Sequence, residues 1–124
     1  EIVLIHHGDY TFAEGRRALE EARAIAAPPT ALFCFSDEVA VGAMGAAAEH
    51  QLSIPHDLAI AGFDDLPLAS YVRPGLTTVF QPAENIGHVA AELAINQLAD
   101  PSTMTQSVRV SYQLKIRGST DPTR

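Results

Sequence analysis

Apolar positions along this chain keep changing period, from short unbroken runs to a spacing of three and four. Ile2-Val-Leu-Ile5, Ala31-Leu-Phe-Cys-Phe35 and Leu58-Ala-Ile-Ala-Gly-Phe63 are brief apolar runs closed by polar residues, the pattern of buried strands. Between them the spacing turns helical. Phe12, Gly15, Leu19, Ala22 and Ala26 share one face of a helix that Thr11 and Glu14 open as a capping box and Pro28-Pro29 close. Arg16–Glu20 and Arg17–Glu21 are spaced to pair on its outer side. Ser36 is the natural N-cap of a second helix, with Asp37 and Glu38 in the first turn, where the helix dipole favours acids. At about 100° per residue, Glu38, Gly42, Gly45 and Glu49 form a narrow polar or glycine strip on it. Val39, Ala40, Val41, Ala43, Met44, Ala47 and Ala48 fill the rest. That arc is wider than one sheet face can cover, so this helix needs a second apolar partner.

Residues 66–75 read as irregular, with Pro67 and Pro74 restricting the backbone. Leu76-Thr-Thr-Val-Phe80 is β-prone, and Pro82 suits the first turn of a helix whose apolar face is Ile86, Val89, Ala90 and Leu93. Asp100-Pro101 ends that helix. Residues 108–111 and 113–116 are short strand candidates, and 118–124 reads as a loose tail. Strand–helix–strand–helix–strand alternation predicts an α/β fold: a parallel sheet with flanking helices and right-handed crossovers. The first three strands then end on one rim, bringing Asp9 and Tyr10, Ser36 and Asp37, and Asp64 and Asp65 together. Ligands of open parallel sheets collect at such an edge.

Composition narrows what that rim does. With 124 residues, 47% of them hydrophobic, the chain is one globular domain or part of one. A formal charge of −7 with 8 Lys plus Arg argues against a phosphate-gripping surface, and no apolar run of about 18 residues spans a membrane. Starting at Glu1, with neither Met nor a basic leader, the chain reads as a piece of something longer. Cys34, the single cysteine, lies in an apolar run with no basic neighbour and reads as structural. Asp64 and Asp65 could hold a divalent metal or share a proton. However, the one lysine, Lys115, lies far along the chain, and no nucleophile–base motif or phosphate loop is visible. His6 and His7, adjacent on a strand, point to opposite faces. No catalytic residue, metal ligand or cofactor is therefore assigned. Binding asks less. The Asp64 carboxylate accepts hydrogen bonds from vicinal hydroxyls or an N–H edge, with a turn cap as its competing role. Tyr10 offers a stacking face, and Ser36 and Gln81 offer small polar contacts. An uncharged polar small molecule such as a sugar or nucleobase fits that mixture.

Pro29-Thr-Ala-Leu-Phe33, Ser36-Asp-Glu-Val-Ala-Val-Gly42, Ile54-Pro55 and Ala61-Gly-Phe-Asp-Asp65 follow one another in order. Pro74-Gly-Leu-Thr-Thr-Val-Phe-Gln-Pro82, Gly87 and Leu114-Lys-Ile-Arg-Gly-Ser-Thr120 complete the set. The whole chain resembles the C-terminal third of a lactose-repressor-type (LacI/GalR family) bacterial transcriptional regulator. That resemblance implies a two-lobed, periplasmic-binding-protein-like (type I) core, of which residues 1–124 are the C-terminal portion of the effector-binding and dimerisation domain. It implies an upstream helix-turn-helix that binds operator DNA, a cytoplasmic location, a sugar-like effector and a homodimer or higher oligomer. Asp64 matches the family's effector-binding aspartate. Tyr10 falls where an aromatic often stacks on effector, and Gln81 falls at another effector-near position. Ser36 stands where the family usually has Asn, keeping a polar contact but losing the amide's donor. The dimer interface maps onto Ala40, Val41, Met44 and Ala47, with Tyr71 and Val72, the alternative being burial within the monomer. Leu76-Thr-Thr-Val-Phe80 becomes a crossover between lobes. The alternatives are a periplasmic sugar-binding protein of a transport system and a metal-dependent hydrolase using Asp64 and Asp65. The isolated chain is expected to associate or swap elements with another copy.

Overall fold

A computed structural model describes residues 8–102, 104–121 and 123. The expected first strand at residues 2–5 and the His6-His7 pair lie outside them. Thr11 caps helix α1 (Phe12–Ala24), its hydroxyl accepting the Glu14 N–H. Strand β1 (Ala31–Phe33) leads to helix α2 (Asp37–Glu49), whose N-cap Ser36 accepts the Val39 N–H at 3.2 Å. Strand β2 (Ala59–Asp64), a single helical turn α3 (Leu68–Tyr71) and strand β3 (Thr77–Phe80) follow. Helix α4 (Ala83–Ala99) and strand β4 (Gln113–Lys115) complete the order. The sheet runs β1-β2-β3-β4, with β1–β2 and β2–β3 parallel. The expected strand at 108–111 does not form. Its residues are almost all exposed, so no buried face rewards pairing there.

The chain divides into two compact units, residues 1–80 with 114–124, and residues 81–113. In the first, the register puts Leu32, Ile60, Gly62 and Thr78 on the sheet face toward α2. The core gathers there: Val39, Ala40, Ala43, Met44, Ala46 and Ala47 of α2 against Leu19, Ile60 and Leu76. The second partner that α2 requires is α1. Gly15 lies against the Val39 carbonyl and Gly42 against the Phe12 carbonyl, each so close that a Cβ would overlap the oxygen. Gly42, on the polar or glycine strip of α2, is therefore a contact point with α1. Leu19 and Ala22 of α1 are buried as expected, whereas Phe12 stays half-exposed and Ala26 falls beyond the helix end. Arg16 and Glu20, expected to pair with each other on α1, each reach beyond it, while Arg17 pairs with Glu14 one turn back. Arg16 pairs with Glu49, and Glu20 lies 2.5 Å from His50.

The expected loose tail is instead built into this unit. Ser119 has no exposed surface; its hydroxyl accepts the Thr77 N–H at 2.8 Å and donates to the Ile60 carbonyl at 2.6 Å. Its own backbone joins Ile60 and Gly75, so one residue bridges the beginnings of β2 and β3. The second unit, taken by itself, is α4 and the chain after it; α4 buries none of its residues, and Ile95 and Leu98 are largely exposed. No helix of the described residues is long and apolar enough to cross a membrane.

Candidate functional site

Parallel strands leave their carboxyl ends on one edge, and here that edge is β1 leading into Ser36 and β2 ending at Asp64. The Cys34 N–H reaches the Ala61 carbonyl at 2.8 Å, carrying the pairing to the rim. Tyr10, before α1, meets Phe35 edge-to-face with ring centroids 4.6 Å apart, and two-thirds of its surface is open. An exposed aromatic held by a second ring is a surface on which another ring can stack.

At the end of β2 the backbone takes a left-handed course at two successive non-glycine residues, with φ of 109° at Asp64 and 57° at Asp65. Side chains with a Cβ rarely adopt this geometry unless their surroundings impose it. Asp37, at the first position of α2, supplies much of that constraint. Its carboxylate has no exposed surface, accepts the Leu66 N–H at 2.7 Å on one oxygen and the Thr78 hydroxyl at 2.6 Å on the other. The Thr78 oxygen in turn accepts the Asp65 N–H at 3.3 Å. Gly62 makes room: a Cβ there would overlap the Asp37 oxygen. Arg117 closes the other side, donating to the Asp65 carboxylate and to the Leu76 carbonyl, each at 2.7 Å.

The electrostatics follow from this packing. Burial pushes the Asp37 carboxyl above the usual carboxylate range, with the charges of Asp64 and Asp65 adding to the effect and the two donated hydrogen bonds opposing it. Burial, helped by Asp37, pushes the Cys34 thiol up to about 12. At that value the thiol is not a nucleophile near neutrality, in keeping with a structural cysteine. Lys115 extends over the Phe80 ring, 5.7 Å from its centroid.

The structure thus brings Tyr10, Ser36 and Asp64 to one rim. Ser36 is itself buried, and its oxygen serves the helix cap. Gln81 opens the second unit. Sequence reasoning placed Asp37 on the rim as a favourable first-turn acid but gave it no partners, and it passed over Thr78 and Arg117 as contributors to the rim. The residues expected at a dimer interface need correction. Ala40, Met44 and Ala47 are buried inside the first unit because α1 and the sheet already cover both sides of α2. Val41, Tyr71 and Val72 keep surface, Tyr71 with 80% exposed.

A parallel sheet with helices against it and a polar, aromatic-edged rim at its strand ends defines an α/β domain of the open-sheet kind. Comparison with known proteins makes this specific. The family model described as periplasmic binding protein-like domain matches residues 1–120, and the chain belongs to that family. The HTH-type transcriptional repressor CytR of Escherichia coli K12 is 40% identical over 116 residues, covering 94% of this chain and 34% of the repressor. The ribose operon repressor of the same organism is 34% identical over 112 residues, covering 90% and 34%. A LacI family transcriptional regulator from Enterococcus faecium, solved with bound ribose, superposes with a TM-score of 0.76 at 30% identity, covering 90% of this chain and 41% of that one. The chain thus spans about a third of the length of the curated relatives it matches, 34% in each.

Proposed function

We propose that this chain is the effector-sensing and dimerisation segment of a cytoplasmic, DNA-binding transcriptional regulator of the repressor type. The observation that carries the reading is Asp64 at the β2 end, on the same rim as an open Tyr10–Phe35 pair. A carboxylate and an aromatic face on one sheet edge suit a sugar or related hydroxylated metabolite. The repressor relatives, and a related regulator holding ribose, support the class of effector and favour regulation over transport. Operator DNA is bound through a domain outside these residues, in keeping with a segment charge of −7. The segment is not an enzyme. Asp65 pairs with Arg117, so Asp64 and Asp65 do not stand as a matched pair for a hydrolytic metal. Val41, Tyr71 and Val72 contribute to the homodimer surface.

Calorimetry on the full-length regulator with D-ribose, D-glucose and sucrose tests the sensing role. A hydrogen bond to a charged acceptor contributes about 1.5–3 kcal/mol, so Asp64→Ala is expected to weaken the best of these ligands by about 10- to 100-fold. Equal affinity for wild type and Asp64→Ala would remove Asp64 from the site.

A further inference from the structure

We propose that Asp37 and Arg117 are positioning residues for Asp64: together they hold the 64–65 turn in its left-handed course and thereby set the direction of the Asp64 carboxylate. The inference rests on Asp64 being the effector's acceptor, and goes beyond it by naming what fixes its geometry. Asp37 cannot itself meet an effector, since it has no exposed surface. Its two oxygens are aimed at groups that define the turn. One takes the N–H of Leu66, the residue after the two left-handed ones. The other takes the hydroxyl of Thr78, which holds the Asp65 N–H through its own oxygen.

Arg117 acts from the other flank. One of its η nitrogens is anchored on the Leu76 carbonyl just before β3, and the other donates to the Asp65 carboxylate. Its backbone is fixed as well, with the Arg117 N–H on the Thr77 hydroxyl at 2.8 Å and that hydroxyl donating to the Arg117 carbonyl. The turn is therefore held at Asp65 and at Leu66 by groups rooted in α2, in β3 and in the C-terminal segment. The glycine of Gly62-Phe-Asp-Asp65 belongs to the same device, because only a residue without Cβ leaves room for the Asp37 oxygen. Preorganisation of this kind raises affinity by removing the ordering that binding would otherwise require.

A double-mutant cycle on the full-length regulator separates positioning from bulk stability. Asp37→Asn keeps the shape but turns an amide N–H toward a donor, and Arg117→Lys keeps the charge but loses the two-point reach. Each is expected to weaken sugar binding by about 5- to 20-fold in the wild-type background and by less than about 2-fold on top of Asp64→Ala. The same loss in both backgrounds, or a lowered Tm with affinity unchanged, would overturn the proposal. Should Asp37→Asn fail to fold, Thr78→Val tests the same arm with the same expectations. If no sugar of the panel binds wild type, or Asp64→Ala binds normally, the sensing role fails, and crystal structures of the variants still decide the positioning. A 64–65 turn that leaves positive φ supports it, and a turn unchanged in both variants sinks it.

Discussion

One buried carboxylate, Asp37, organises the rim of this sheet, and its chemistry leads to two expected outcomes. Gly62→Ala drives a Cβ into the Asp37 oxygen. The cost should be that of overpacking, about 1–3 kcal/mol, read as a lower urea midpoint with an unchanged slope. The second outcome concerns pH. The folded-state pKa of Asp37 is raised, so the native state binds the proton more tightly than the unfolded chain. Its contribution to stability is fully present below the unfolded value, near 3.8, and is lost as pH rises through the folded value. Asp37→Asn removes this titration. The stability gap between wild type and Asp37→Asn is therefore expected to be wider near pH 4 than near pH 7, in denaturant titrations across that interval; a gap that widens toward neutrality would contradict the assigned direction. Little of this was legible in the sequence. An acid after a helix cap looks like any first-turn acid, and partners 29 and 41 residues away leave no local mark. The place of Asp64 was legible because it ends an apolar run that forms β2, a signal of position rather than of contact.

Among the elements, α2 carries the clearest contrast between pattern and packing. Its apolar arc announced two covered sides, and the structure supplies the sheet and α1. The family resemblance offered a second subunit for one of those sides, with burial in the monomer as the alternative, because spacing shows that a face must be covered without showing by what. Gly42 and Gly45, three residues apart on that helix, test the packing in opposite directions. A Cβ at Gly42 overlaps the Phe12 carbonyl, whereas one at Gly45 meets nothing within 4 Å. Gly42→Ala should destabilise by forcing the helices apart. Gly45→Ala should stabilise by about 0.5–1 kcal/mol, the usual gain on replacing glycine inside a helix. Thermal unfolding of the two variants checks both signs, and a shared sign would show that helix propensity, not the α1 contact, governs this face. The capping residues Thr11 and Ser36 were read correctly from sequence because a cap is a local bond, three residues long. The C-terminal segment was misread for the opposite reason. Ser119 is held by hydrogen bonds to residues more than forty positions away, with no apolar periodicity to betray its burial.

Across the whole molecule, unsatisfied apolar surface persists in both units. In the first, Phe33 shows 68% of its surface and Tyr71 80%; in the second, Leu98 shows 82%, and no residue of α4 is buried. Exposed apolar surface on this scale marks places where another chain or segment packs. The 124-residue chain is therefore expected to self-associate, with a mass in light scattering that rises with concentration. The charge of −7 opposes this, because copies of one sign repel at low ionic strength. Salt provides the discriminating variable. Raising it from about 0.01 M to 0.15 M shortens the screening length from about 30 Å to 8 Å, and association driven by apolar contact should strengthen as the repulsion is screened. Association that weakens over the same range would assign it to ion pairs instead, and a monomer at every concentration and salt would show that these faces remain solvated. Replacing Leu98 and Ile95 of α4 by lysine in one chain, and Tyr71 by glutamate in another, then identifies which unit supplies the contact. The variant that restores the monomer locates the surface that needs a neighbour.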